Sequence, residues 1–172
     1  MVTFTRNLIA ICFATTLMIG FGRAEEPADP AAVSSDDGKY FDKDGRPTYK
    51  VDKGGKVDFY TYNGFVRYSA NCMHCHGPDG LGSTYAPALV SSLKTLDYAD
   101  VLTTVANGKK EVSESKQLVM PSLGEDRNVM CYIDSIYIYL RARSNDAIGR
   151  GRPADHEPKP AGFSETVNGC MG

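Results

Sequence analysis

The chain has 172 residues, 42% hydrophobic and 23% charged, with 19 basic against 21 acidic side chains and a formal net charge of −2. That length bounds one modest domain with a real core. The slight acidic balance excludes nucleic acid as the main partner, because phosphates select clustered cationic surface.

Met1–Ala24 has Arg6 in a short polar start, an apolar stretch from Leu8 to Phe21, and Gly22-Arg23-Ala24 as small-x-small before Glu25. It reads as a cleaved secretory signal, which places the protein in the periplasm and makes the remaining chain more acidic by two lost arginines. The apolar stretch, about 14 residues, falls short of the roughly 20 that cross a bilayer, so a retained anchor is the weaker alternative. Nothing later in the chain reads as a membrane span.

Residues 25–61 form an N-terminal arm. From Glu25 to about Asp37 the composition is Glu, Asp, Pro, Ala and Ser, too polar to offset ordering entropy, and a flexible segment is expected. Thr48-Tyr49-Lys50-Val51 and Lys56-Val57-Asp58-Phe59-Tyr60-Thr61 flank Asp52-Lys53-Gly54-Gly55, which predicts a small β-hairpin. Asp42-Lys43-Asp44-Gly45 resembles the start of a calcium loop but lacks the later ligands and the closing Glu, so a solvated turn is expected instead.

Residues 62–143 carry the helices. One opens near Asn63, a candidate N-cap, and brings Gly64, Phe65, Tyr68 and Ala70 up to Cys72-Met73-His74-Cys75-His76. In an exported chain this Cys-x-x-Cys-His run reads as the attachment site of a covalent c-type haem. Two thiols three residues apart on one helical turn can each add to one porphyrin vinyl group, and His76 is then placed as the proximal iron ligand. The same cysteines could be half of a zinc site completed by His76, Cys131 and Cys170, or a dithiol redox pair; neither explains the other residues below.

A second helix is predicted over Asp97–Asn107, where Tyr98, Val101, Leu102 and Val105 repeat at helical spacing, with Asp97 as its cap and Gly108 as its end. Met120-Pro121 follows in a loop-like stretch, and its thioether is the best-placed distal ligand. Met73, Met130 and Met171 are poorly placed, and His156 offers a bis-histidine alternative in Pro-flanked, polar surroundings. An ordinary packed loop methionine is the plain alternative for Met120. The strongest helix carries Val129, Tyr132, Ile133, Ile136, Tyr137 and Leu140 as one stripe, with Glu125 and Asp126 at its positive end and Arg141 and Arg143 at its negative end.

Residues 144–172, rich in Gly, Pro and Arg, read as an irregular extension. Cys12 leaves with the leader and Cys72 and Cys75 are taken by haem, so Cys131 and Cys170 remain as an even pair in an oxidising compartment, and a disulfide is the natural inference against two separate buried thiols. Cys131 lies off the apolar stripe, where it could meet the tail. Arg141, Arg143, Arg150 and Arg152 with Lys109 and Lys110 could form a cationic docking area, although a solvated face is the commoner meaning of such charges.

Over roughly Tyr62 to Arg143 the chain resembles class I c-type cytochromes, which implies a mainly α fold. Gly64 and Tyr68 stand where that family packs its first helix on its last, here Tyr137-Ile138-Tyr139-Leu140-Arg141. Ala86-Pro87-Ala88-Leu89 resembles the stretch whose proline carbonyl accepts the proximal histidine's Nδ1 proton, here Pro87 to His76, with Leu89 packing on the haem. Met120-Pro121 matches the distal-ligand loop. A narrower resemblance rests on Gly38-Lys39-Tyr40, Pro47-Thr48-Tyr49, Val57–Tyr62, Ser83–Leu89, Val129-Met130-Cys131-Tyr132, Gly149–Pro153 and Cys170-Met171-Gly172. These are similar to four-cysteine cytochromes, cytochrome cL-like electron acceptors, of bacterial methanol metabolism.

That resemblance implies a monomeric carrier, not an enzyme, taking single electrons from a pyrroloquinoline quinone-dependent methanol or other alcohol dehydrogenase and passing them to a downstream cytochrome c or oxidase. Two strong axial ligands leave no position for oxygen or peroxide. The competing readings are a haem peroxidase or small-ligand sensor with a displaceable distal ligand, and a permanent haem subunit of a dehydrogenase complex.

Overall fold

Helices dominate the computed structural model, which describes residues 30–113 and 116–172. The leader and the first acidic residues after it lie outside the described residues. Strand β1 (Ser34–Asp36) pairs antiparallel with β2 (Lys39–Phe41) around Asp37-Gly38, both at positive φ (39° and 72°). An Asp-Gly pair at such angles makes the two-residue turn whose twist suits a hairpin. From Val33, whose N–H donates to the Phe41 carbonyl at 2.9 Å, the expected flexible arm is therefore a paired edge strand: turn chemistry orders it, not apolar burial.

Strand β3 (Pro47–Thr48) extends this sheet beside β2, and the loop between them is solvated at Lys43-Asp44-Gly45, as expected, but not at its first residue. Asp42 is 2% exposed. Its Oδ1 accepts from the Asp44 and Arg46 N–H groups, each at 2.9 Å, and its Oδ2 accepts from Arg141 Nη2 at 2.7 Å.

The hairpin predicted around Asp52–Gly55 shrinks to one bridge, Val51 to Val57. The turn forms, with Asp52 Oδ1 accepting from the Gly54 and Lys56 N–H groups. Beyond it, Asp58 rather than Asn63 caps α1 (Phe59–Asn71), taking the Thr61 N–H at 2.8 Å on Oδ1 and the Lys50 N–H at 2.8 Å on Oδ2. A good N-cap converts Phe59-Tyr60-Thr61, β-leaning by composition, into the first helical turn.

The remaining elements follow as α2 (Met73–His76), α3 (Leu89–Ser92), α4 (Tyr98–Asn107), β4 (Lys109–Ser113), β5 (Lys116–Met120), α5 (Arg127–Met130), α6 (Ile133–Ser144) and α7 (Phe163–Met171). Asp97 caps α4 through a reciprocal capping box with Asp100. The predicted last helix divides at Cys131-Tyr132, and Asp126 caps its first part.

Helix α6 crosses α1 at Gly64, where a Cβ would overlap the Ser135 carbonyl. Every residue of α6 except Asp134 is buried, so its amphipathic stripe is only one of its covered faces. Arg141 donates to the Pro47 carbonyl at 2.9 Å as well as to Asp42, and Arg143 donates to the Ile148 carbonyl at 2.7 Å. These two arginines, 5% and 8% exposed, are interior ties and not part of a docking surface.

The extension is irregular only as far as Gly162. Helix α7 sets Phe163 against Phe59 and Tyr60 (ring centroids 4.8 and 5.5 Å apart) and buries Val167 in the same cluster. Asn168, Gly169 and Thr166 have low helix propensity, which hid this short helix from a composition reading; packing overrides them. A disulfide joins Cys131, at the α5–α6 break, to Cys170, with Cα atoms 5.7 Å apart.

Two predictions follow from these ties. Replacing Arg141 by Met should destabilise the fold by about 3–5 kcal/mol, because Asp42 is left buried without its partner, as read from denaturant unfolding. Burial alone would push the Asp42 carboxyl up, but Arg141 and the backbone donors outweigh it and hold the group below its usual 3.8. A depressed acid adds stability above its unfolded pKa and loses it as pH falls through the folded value. Wild-type stability should therefore fall steeply below about pH 4, and the Met variant should lack part of that fall. Secondly, replacing Cys131 and Cys170 together by Ser should cost about 4 kcal/mol in the chain-entropy model, with α7 released before the rest in hydrogen exchange.

Candidate functional site

Helix α1 delivers its last turn directly into the cysteine motif. Cys72 ends α1, its N–H donating to the Tyr68 carbonyl at 2.8 Å, and also begins α2, its carbonyl accepting from the His76 N–H at 2.9 Å. Cys72 and Cys75 are thus one helical turn apart and share a face; Cys72 is half-buried and Cys75 exposed. Tyr68, buried on α1, donates its hydroxyl to the Gly77 carbonyl at 2.5 Å and so locks the end of α2 to the helix that leads into it. Burial raises the Tyr68 phenol well above its usual range, so it stays protonated near neutral pH and keeps donating to the Gly77 carbonyl.

His76 is 8% exposed, with Nδ1 3.1 Å from the Pro87 carbonyl. A carbonyl oxygen only accepts, so Nδ1 carries the proton and Nε2 keeps the lone pair that a metal requires. Leu89 opens α3, and like Cys72 it packs against the core cluster of Tyr68, Val129, Ile133, Ile136, Tyr139 and Leu140, as do Leu93, Leu102, Val105, Leu123 and Met130. These half-buried apolar side chains come from α3, α4, α5 and the segment before α5. The donor set and the apolar wall both fit a haem fixed through Cys72 and Cys75.

Met120 enters from a different element. It ends β5, opposite Lys109 on β4, where a loop was expected. Its segment is anchored to the end of α4: Leu123 and Gly124 N–H groups donate to the Val105 and Ala106 carbonyls, each at 3.0 Å, and Ser122 Oγ to the Ala106 carbonyl. Gly108, at φ 73°, lies so close that a Cβ would stand 2.6 Å from the Met120 carbonyl oxygen and 2.7 Å from Ser122 N. Only glycine satisfies both the angle and the approach.

His156 does not have the exposed surroundings expected of it. It is half-buried, stacked on Tyr62 at 3.8 Å, and bridges its backbone to Val57. The remaining docking candidates, Lys109, Lys110, Arg150 and Arg152, are exposed, and three of them also make local ties: Arg150 Nε meets Asp79 Oδ2 at 3.0 Å, Arg152 bonds the Tyr62 hydroxyl, and Lys109 pairs with Glu111 at 2.9 Å. Sequence reading missed Asp79. It is buried at φ 59° and accepts from Arg150 and from the Gly151 N–H at 2.8 Å, pinning the extension beside the haem-motif loop. Burial would raise its carboxyl; Gly151 and Arg150 outweigh it and hold the group low. Its place between Gly77 and Gly82, in a stretch otherwise free of carboxylates, was the available signal.

The family model described as cytochrome c oxidase, cbb3-type, subunit III matches residues 61–140. Cytochrome c-553I of Paracoccus denitrificans is 48% identical over 136 residues, 79% of this chain, and the chain spans 60% of that protein's length. Cytochrome c-555 of Methylococcus capsulatus is 34% identical over 96 residues, covering 55% of this chain and 72% of the relative. The crystal structure of the c-type cytochrome XoxG from Methylobacterium extorquens AM1 superposes with a TM-score of 0.76 at 49% identity, over 82% of this chain and 86% of that one. With the Cys72–His76 turn, the His76–Pro87 contact and the α1–α6 crossing in place, these likenesses show that the chain belongs to the c-type cytochromes, whose cofactor is covalently bound haem c.

Proposed function

We propose that this protein is a periplasmic, monomeric, single-haem electron carrier between a pyrroloquinoline quinone-dependent alcohol dehydrogenase, methanol dehydrogenase foremost, and a downstream cytochrome c or oxidase. The observation that carries the reading is the Pro87 carbonyl at His76 Nδ1, which reserves Nε2 for iron. Bound haem supplies a one-electron ferric/ferrous couple. Cys72 and Cys75 hold it through thioethers, His76 is the proximal ligand and Met120 the distal one, with Leu89 packed on the haem.

In this reading each residue has a separate task. The Pro87 contact orients the His76 ring and raises its basicity. A thioether from Met120 favours ferrous iron and raises the reduction potential. Its strand pairing to Lys109 and the close seat on Gly108 limit how far that segment can withdraw. A fixed distal ligand favours electron carriage over peroxidase chemistry or gas sensing. No helix among the described residues is long and apolar enough to cross a membrane. The methanol-related partner draws its support from the motif resemblance and from the likeness to XoxG.

Replacing Met120 by Ala should lower the reduction potential and let carbon monoxide bind the reduced protein rapidly; an unchanged optical spectrum would mean that another residue is the distal ligand. For the donor, stopped-flow mixing with reduced methanol dehydrogenase should reduce the haem at least as fast as the dehydrogenase turns over. Slower reduction would reject that partner.

A further inference from the structure

The side chains of the segment that carries Pro87 have little packing to hold it, although its backbone passes close to Gly82, where a Cβ would stand 2.8 Å from Ala88 N and 3.2 Å from the Pro87 carbonyl carbon. Ser83, Thr84, Tyr85 and Pro87 are exposed, Tyr85 at 73%. Hydrogen bonds therefore have to set its position. Gly82 N–H donates to the His76 carbonyl at 2.8 Å, and Ser83 N–H donates to the Ala86 carbonyl at 3.0 Å, closing the loop on itself. The Ser83 hydroxyl does two further things: it accepts the Tyr85 N–H at 3.0 Å and donates to the Cys75 carbonyl. Of these contacts, only those of Ser83 Oγ use a side chain, and one of them reaches back to the helical turn that holds both haem cysteines.

We propose that Ser83 is a positioning residue for the iron's proximal ligand. By tying the Ser83–Ala86 loop to the Cys75 carbonyl, it fixes how closely the Pro87 carbonyl approaches His76 Nδ1. The closer that acceptor, the more basic the imidazole and the better ferric iron is stabilised. Ser83 therefore holds the reduction potential down, against the upward pull of a methionine ligand on the other side. Ser83 is exposed, and its hydroxyl bonds only backbone, the Cys75 carbonyl and the Tyr85 N–H, so it acts through the loop.

This inference rests on His76 as the proximal ligand, and it is tested on the haem-loaded protein with Ser83→Ala, Ser83→Thr and Ser83→Val. The readouts are the reduction potential and, by NMR of the ferrous state, the exchange rate of the His76 ring N–H with solvent. Ser83→Ala should shift the potential upward and speed ring-proton exchange by about tenfold, as expected when a protecting contact opens more often. Ser83→Thr, which keeps the hydroxyl, should restore both, and its isostere Ser83→Val should behave like Ala. A low-spin Ser83→Ala protein with unchanged potential and exchange would overturn the role, even if its melting temperature fell. Haem incorporation lost in both Ala and Val but normal in Thr would indicate a folding role and would overturn it too. A high-spin wild-type spectrum would instead reject Met120, and ring-proton exchange would still report on the Pro87 contact.

Discussion

Two helices can approach as closely as α1 and α6 do only where one of them lacks a side chain, and Gly64 is that place. A Cβ there would overlap the Ser135 carbonyl and stand 2.7 Å from the Tyr139 Cβ. Preferred helix packing distances shrink with the side chains at the crossing, so this one residue sets the spacing of the molecule's central pair. One turn further along α1, the close approach lets Tyr68 sit against Tyr139, ring centroids 5.5 Å apart, with its hydroxyl on the Gly77 carbonyl. The Cys72–His76 turn is thus positioned from the crossing outward.

Surrounding α6 on all sides creates an electrostatic problem that the rest of the chain resolves. Guanidinium groups cannot be buried without partners, and both Arg141 and Arg143 are interior. The N-terminal sheet supplies Asp42 and the Pro47 carbonyl, while the extension supplies the Ile148 carbonyl. Lys39 and Tyr98 converge on Asp134 from β2 and α4, at 2.7 and 2.5 Å. The N-terminal sheet and the extension are therefore required partners of the central helix, and the disulfide adds a covalent tie from its entry to α7.

Local chemistry was legible where spacing alone determines it. The Cys72–His76 run, the Asp97 cap with Gly108, and the apolar stripe from Val129 to Leu140 each depend on residues within a few positions. What escaped depends on distant contacts. Nothing near Arg141 announces that Asp42, almost a hundred positions earlier, will neutralise it. Phe59-Tyr60-Thr61 carries strand propensity that the Asp58 cap overrides, and α7 has weak helix formers that its packing on Phe59 and Tyr60 compensates. Asp37-Gly38 was readable as a hairpin turn, but its polar setting suggested disorder. Arg141 and Arg143 were misread as docking residues for the same reason as Asp42: charge was equated with exposure, which holds for Arg150 and Arg152 but not for these two.

The β4–β5 hairpin separates the position of Met120 from the length of the segment that precedes it. Lys109 and Met120 face each other at its base, next to the Gly108 seat, so both ends of the excursion are fixed at one point. Residues gained or lost in facing pairs further along the ladder would change the hairpin's reach without moving that base, and a longer loop adds closure entropy only slowly. A change of length in the segment between α4 and the methionine would therefore leave the methionine itself in register. The reach and surface of the hairpin are thus decoupled from the seat of Met120.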